Sequence, residues 1–243
     1  QLFDKTLLTV TVLPAGVPVR IAALDSYDDF VWGAGNVAND GTGAEAEGTQ
    51  FRKVGSHIAP DGPGDPVTAT VSVPAGGYSD VWLPTFGTVT GLSFGGSRGD
   101  QLADDLRFNI DTNTGVLPEK LQAGDTYTVS ALAQKVEATP PKEVDLAQGS
   151  LVDGQDLTFV DDKITPWTER VDGSWQQVLA VAKAMQDGAY TDGGAPGDYQ
   201  NIFLPGHSLR RMTQFLKASQ LAGDDEQYAS ALALAANRLG VPT

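Results

Sequence analysis

The sequence predicts an α+β protein: an N-terminal antiparallel, β-sandwich-like domain over about 1–138, a linker at 139–150, and a helical part over 151–243. Three observations predict it. Apolar residues alternate with period two in several stretches of the first half. They recur at helical spacing in the last hundred residues. Between the two lies "EATPPKEVDLAQGS" (137–150), a Pro-Pro pair in polar surroundings that reads as an interdomain linker.

The first alternating stretch, "TLLTVTVL" (6–13), places Leu8, Val10 and Val12 on one face and Thr9 and Thr11 on the other. "VTATVSVP" (67–74) does the same with Val67, Ala69, Val71 and Val73, and "DTYTVSALA" (125–133) with Tyr127, Val129 and Ala131. Strands buried on one face belong to antiparallel sheets. "LRFNIDTNTGVL" (106–117) reads as two strands around an Asp-Thr-Asn-Thr-Gly turn. No amphipathic helical window precedes about residue 140, so the first half is expected to be a β-rich domain. The stretch 34–50, small and acidic with almost nothing apolar, reads as a long surface loop.

Three helices are expected after the linker. The first carries Val171, Trp175, Val178, Leu179, Ala182 and Met185 on one face and stops at Gly188. The second carries Leu209, Met212, Phe215 and Leu216. The third, "GDDEQYASALALAANRLGVP" (223–242), shows a face of Tyr228, Leu232, Ala235 and Leu239, with Gly240 as its left-handed cap and Pro242 just beyond.

Composition narrows the function classes. Lys and Arg number 16 against 31 Asp and Glu, a formal net charge of −15, which repels phosphates and anionic lipid headgroups and excludes nucleic acid as a primary partner. The absence of cysteine removes disulfides, thiolate catalysis and cysteine metal sites together. No segment reaches the roughly 18 consecutive apolar residues of a membrane span. With Gln1 in place of a methionine and no signal-peptide pattern, the chain reads as a processed or excised piece.

The candidate site is the start of the third helix. Asp224 suits the N-cap with Gln227 three residues on to complete a capping box, and Asp225 and Glu226 then fall in the first turn, where the helix dipole favours carboxylates. That arrangement favours the ionised form of a carboxylate, which is a poor general acid and a weak nucleophile. His207, after Pro205-Gly206 and just before a helix, reads as a helix-entry turn residue; the alternative is a place near Asp225 in space. His57 stands alone in the other domain, and two lone histidines give no transition-metal spacing, so neither a metal nor a cofactor is expected. "GGSRG" (95–99) matches the nucleophile-elbow pattern around Ser97, but a turn and another strand are expected after it rather than a helix. The Gly-rich acidic runs at 40–48 and 61–66 lack EF-hand spacing. Asp28-Asp29 and Asp104-Asp105 are unremarkable in so acidic a chain, and Trp82, Trp167 and Trp175 read as core or interface residues.

The stretch 223–242 resembles the nucleophile helix of the transglutaminase-like superfamily, a papain-like fold. There a glycine and one variable residue precede the catalytic cysteine, followed by an acidic or polar pair, an aromatic residue and an alanine. The helix then ends on a basic residue and Leu-Gly-[Ile/Val]-Pro. Laid on this sequence, the cysteine falls on Asp225, followed by "EQYA", and Arg238-Leu239-Gly240-Val241-Pro242 match the end. "FLPGHSLRRMTQFL" and "SWQQVLAVAKAMQDGAYTD" resemble the helices that precede it in bacterial, notably actinobacterial, multi-pass membrane proteins with an extracytoplasmic domain of this kind. "RIAALDSYDDFVW" and "WLPTFG" resemble the region between their last N-terminal span and that core.

The resemblance implies an extracytoplasmic fragment of a cell-membrane protein, anchored to the membrane in its parent. It implies a degenerate core as well, because an aspartate cannot form a thioester and the chain stops at Thr243, before the strands that bear the family's histidine and aspartate. No catalytic residue is assigned; the implied cleft is Asp224, Asp225, Glu226, Gln227 and His207, and its implied partner is a peptide or a cell-wall component. The expected role is binding or scaffolding at the envelope. The alternative is a cysteine-independent amide hydrolase or acyl-transfer enzyme in the full-length protein, with Asp225 as the base for attack by water. Carbohydrate binding by the β domain has only the tryptophans behind it.

Overall fold

The computed structural model describes residues 5–27, 31–33, 51–58, 62–133, 142, 157–191 and 205–242. The loop at 34–50, the acidic run at 40–48, Asp28-Asp29 and all of the linker except Lys142 lie outside them. The chain forms two compact units. One comprises Leu2–Ser26 and Ala34–Ala138; the other comprises Gln1, Tyr27–Gly33 and Thr139–Thr243. The short segment Tyr27–Gly33, within the span read as the β domain, thus clusters with the helices.

In chain order the elements begin with β1 (Thr9–Thr11), β2 (Val19–Arg20), β3 (Ser26–Tyr27), β4 (Trp32–Gly33), β5 (Asp65–Ser72), β6 (Trp82–Leu83), β7 (Thr85–Phe86) and β8 (Thr88–Gly95). There follow α1 (Gly99–Asp105), β9 (Arg107–Asn109), β10 (Thr114–Val116) and β11 (Thr126–Ala133). The last stretch holds α2 (Thr158–Thr168), α3 (Ser174–Met185), β12 (Ala189–Tyr190), α4 (Leu209–Lys217), β13 (Ala222–Gly223) and α5 (Asp225–Arg238). The protein is α+β.

The β-rich unit is built on a four-stranded sheet of order β1-β5-β11-β8 and a three-stranded sheet of order β6-β10-β9, antiparallel throughout. The period-two pattern dictates this. Along β11 the residues alternate between half-buried and buried, and Tyr127, Val129 and Ala131 face inward with Ala69 and Val71 of β5. One apolar core gathers the inward residues of both sheets, including Leu83, Val89, Leu92 and Phe108. The outward face is hydroxylic. Thr70 pairs across strands with Thr128 at 3.4 Å and Thr68 with Ser130 at 3.2 Å. The backbone of Ser56–Ile58 runs along the far side of β8, with the Ile58 N–H donating to the Thr90 carbonyl at 2.8 Å. A half-buried ion pair supports the unit: Arg98 donates to Asp125 at 2.7 Å, and the same carboxylate oxygen accepts the Gln122 N–H at 2.8 Å.

Three expectations for this half are corrected. α1 is a helix before residue 140; only Gly99 and Leu102 of its seven residues are buried, too few to leave a periodic signature. Ser97 therefore does sit between a strand and a helix, contrary to the reading of a following strand. It is exposed, and the His207 ring is engaged by Glu226 and the Trp32 carbonyl. The first strand stops at Thr11, because Val12 takes φ 67° and is 81% exposed rather than facing the core.

In the helical unit α5 packs against α2, α3 and α4. Covered on several sides, it buries Gln227, Ser230, Ala231, Leu234, Ala235, Ala236 and Asn237, whereas Tyr228, Leu232 and Leu239 of the expected face are only half-buried. A helix rich in alanine lets its neighbours approach closely, which spreads burial beyond a single stripe. α3 likewise buries Val178, Val181 and Met185, with Leu179 and Ala182 half-buried, and it ends at Met185 with Gln186 as C-cap. α2 is an unexpected fourth helix, masked in the sequence by Pro166 in its last turn; it buries Phe159, Val160 and Ile164. Asp161 of α2 receives both Arg238 Nε at 2.9 Å and a terminal guanidinium nitrogen at 2.6 Å, tying α2 to the end of α5. That end is a Schellman turn: Val241 N–H donates to Ala236 at 2.9 Å and Gly240 N–H to Asn237 at 3.1 Å, with Gly240 at φ 81°.

Phe86, 0% exposed in the β core, sets the test of this packing. Phe86→Ala is expected to cost about 3–5 kcal/mol, read as a lower denaturant midpoint for amide exchange in β5 and β11.

Candidate functional site

The start of α5 is fixed by a reciprocal cap. Asp224, with an extended backbone, accepts the N–H groups of Glu226 at 2.9 Å and Gln227 at 3.4 Å, while Gln227 Oε1 accepts the Asp224 N–H at 3.0 Å. Gly223, just before it, has no room for a side chain. A Cβ there would come within 3.0 Å of both Gln227 and Phe215. The parallel pairing of β12 with β13 holds this entry in place, with Thr191 N–H donating to the Gly223 carbonyl at 2.8 Å.

The remaining orders come from the turn before α4. Ser208 caps α4 by accepting the Arg211 N–H at 3.3 Å. One residue earlier, His207 Nδ1 lies 2.6 Å from Glu226 Oε1, and its Nε2 lies 2.8 Å from the carbonyl of Trp32. A carbonyl only accepts, so Nε2 is the donor there; when the ring is protonated, Nδ1 donates too, to the Glu226 carboxylate. Glu226 Oε2 also accepts the Gly206 N–H at 3.0 Å, a contact that needs the φ of 91° available to glycine. The Gln227 amide closes the ring, donating to the Gly206 carbonyl at 2.8 Å and to Glu226 Oε2 at 3.3 Å.

The charges follow the contacts. The hydrogen bond from His207 holds the Glu226 carboxyl below the usual range, and the same bond raises the His207 imidazole. Asp224 moves the other way from the dipole expectation: burial raises it, and its capping hydrogen bonds oppose the rise without cancelling it. Arg211, 8% exposed, lies within the influence of Asp224 and Glu226 and donates to the Ala222 carbonyl at 3.2 Å. Burial lowers it while both carboxylates push back. Its guanidinium sits 5.5 Å from the Phe215 ring centre.

The five candidate residues thus divide. Asp224, Glu226, Gln227 and His207 form one hydrogen-bonded cluster. Asp225 is exposed and turns to a groove shared with Tyr190, Tyr228 and Leu232, while His207, in the turn that enters α4, meets Glu226. Among the described residues no group of three or more His, Asp or Glu side chains is arranged to hold a metal ion. Sequence reasoning missed two members. Arg211 lies four positions before Phe215 on the buried face of α4, a spacing that could have found it. Trp32, 175 residues from His207, gave no such signal.

No family model matches this chain, and no curated protein matches it. Its fold is similar to that of the periplasmic domain of TgpA from Pseudomonas aeruginosa. One solved structure of that domain gives a TM-score of 0.50 at 14% identity, covering 97% of this chain and 70% of that one. A second, with ethylmercury bound, gives 0.47 at 15% identity, covering 97% and 72%. At such identities the likeness is one of fold.

Two predictions follow from the cluster's geometry. Asp224→Ala is expected to cost about 1 kcal/mol through the lost cap, and Asp225→Ala to stay within about 0.5 kcal/mol, both read by chemical denaturation. The His207–Glu226 bond is pH-dependent with a definite sign. A raised histidine contributes stability that is complete below its ordinary value of 6.5 and fades as pH climbs through its folded value. A lowered glutamate contributes above its ordinary 4.5 and fades as pH falls through its folded value. The cost of His207→Gln is therefore expected to be larger at about pH 6 than at about pH 9, and the His207 ring protons should titrate with a midpoint above 6.5.

Proposed function

We propose that this chain is a non-catalytic binding or scaffold module of the transglutaminase-like kind, an extracytoplasmic part of a membrane-anchored protein of the bacterial, notably actinobacterial, envelope, whose degenerate cleft holds a peptide or cell-wall segment. The observation that carries this reading is Asp225. It stands where the resemblance places the nucleophilic cysteine, at the head of a capped helix, and a carboxylate there has no thioester chemistry. The periplasmic origin of the domain whose fold this chain shares supports the extracytoplasmic placement. No helix among the described residues is long and apolar enough to cross a membrane, so the anchor is assigned to the parent by resemblance.

The amide-hydrolase alternative finds little support in the geometry. Asp225 as a base for water attack needs a raised pKa or a partner that shares its proton. The histidine nearest in the chain to this helix start has both ring nitrogens committed, one to Glu226 and one to Trp32. The buried guanidinium answers Asp224 and Glu226.

The test is hydrolysis of fluorogenic peptide amides and incorporation of a fluorescent amine into a glutamine-bearing protein, for the native chain beside Asp225→Ala. Neither reaction is expected with either protein. Turnover that disappears in the variant overturns the non-catalytic reading.

A further inference from the structure

Beside the first turn of α5, between that helix, α3 and β12, runs an open groove of about 540 Å³. Its lining is almost wholly apolar: Met185, Leu232 and the rings of Tyr190 and Tyr228 supply most of it, and Gln186 adds one amide. Among the described residues Asp225 is the only charged one in that lining; its sequence neighbours Asp224 and Glu226 are turned to the capping and histidine contacts.

The walls are built rather than incidental. The Tyr228 hydroxyl donates to the Ala189 carbonyl at 3.1 Å, and its ring stands edge-on to Phe215 with centroids 5.0 Å apart. Gly188 has no side chain to give there, since a Cβ would collide with that hydroxyl. Tyr190 is 63% exposed, a large aromatic surface presented to solvent at the groove.

One carboxylate in the lining of an apolar, aromatic groove suits a long side chain with a cationic head. The alkyl stem covers apolar wall while the head meets the carboxylate and the π-face of an exposed tyrosine. The chain's net charge of −15 adds a field that attracts cations to any such opening. We propose that this groove binds a peptide segment presenting a lysine or arginine side chain next to an apolar residue. The proposal rests on the binding-module reading above and gives it a ligand class.

The probes are four blocked tripeptides, Leu-Lys-Leu, Leu-Arg-Leu, Leu-(acetyl-lysine)-Leu and Leu-Glu-Leu, titrated into the native chain, Asp225→Asn and Tyr190→Leu, with amide chemical shifts as the readout. The lysine and arginine peptides are expected to shift amides at the end of α3 and the first two turns of α5. The acetyl-lysine peptide should bind about tenfold more weakly and the glutamate peptide more weakly still. Asp225→Asn should weaken the lysine peptide roughly threefold and leave the acetyl-lysine peptide unchanged, and Tyr190→Leu should weaken both cationic peptides. Added salt should weaken the lysine peptide in the native chain more than in Asp225→Asn. Equal affinity for lysine and acetyl-lysine peptides, indifference to Asp225→Asn, shifts confined to other surfaces, or no binding overturns the proposal. Turnover dependent on Asp225 overturns the non-catalytic reading in its own assay, so the two fail separately.

Discussion

A single buried amide organises the candidate site. Gln227 is 0% exposed, and a primary amide so placed must find partners for its carbonyl and its N–H groups. It takes the Asp224 N–H on one side and the Gly206 carbonyl on the other. The first contact completes the cap of α5; the second draws in the turn that carries His207. With both in place, Glu226 has one exit, toward the histidine and the Gly206 N–H. Replace the amide with an apolar side chain and a capping N–H and a turn carbonyl both lose their partner.

This arrangement explains how three consecutive acids coexist at a helix start. Two of them are answered locally: Asp224 by backbone N–H groups, Glu226 by the His207 ring, and both by the half-hidden field of Arg211. Glu226 stays exposed but is held by its histidine, whereas Asp225 lines the apolar groove. For a module that binds without catalysis, that sets one carboxylate in an otherwise apolar groove, and so a basis for choosing ligands by charge.

Much of this was legible in the residues. Period-two runs marked β5 and β11, two of the three eight-residue strands, with their inward faces, because one-sided burial leaves its signature at every second position. The capping box at Asp224 and Gln227 and the glycine stop at Gly240 were readable because they are local, spanning three or four residues. Failure came where burial is not one-sided. α5 is covered on several flanks and small residues fill its contacts, so a search for one apolar stripe misplaced its face. α1 and α2 escaped because few buried side chains, or an internal proline, erased the period. The Trp32–His207 contact was illegible for another reason: nothing in either local stretch encodes a partner 175 residues away.

The sheet of the β-rich unit has a consequence at its margins. One border strand, β1, offers only three residues before Val12 turns at φ 67°, and the other, β8, has the backbone of Ser56–Ile58 laid along it. A flat open border is a template on which another copy of a chain adds a strand. Here one border is too short to seat such an addition and the other is already occupied by the chain itself. Where copies crowd together, this sheet therefore resists the addition of a neighbour's strand at either border.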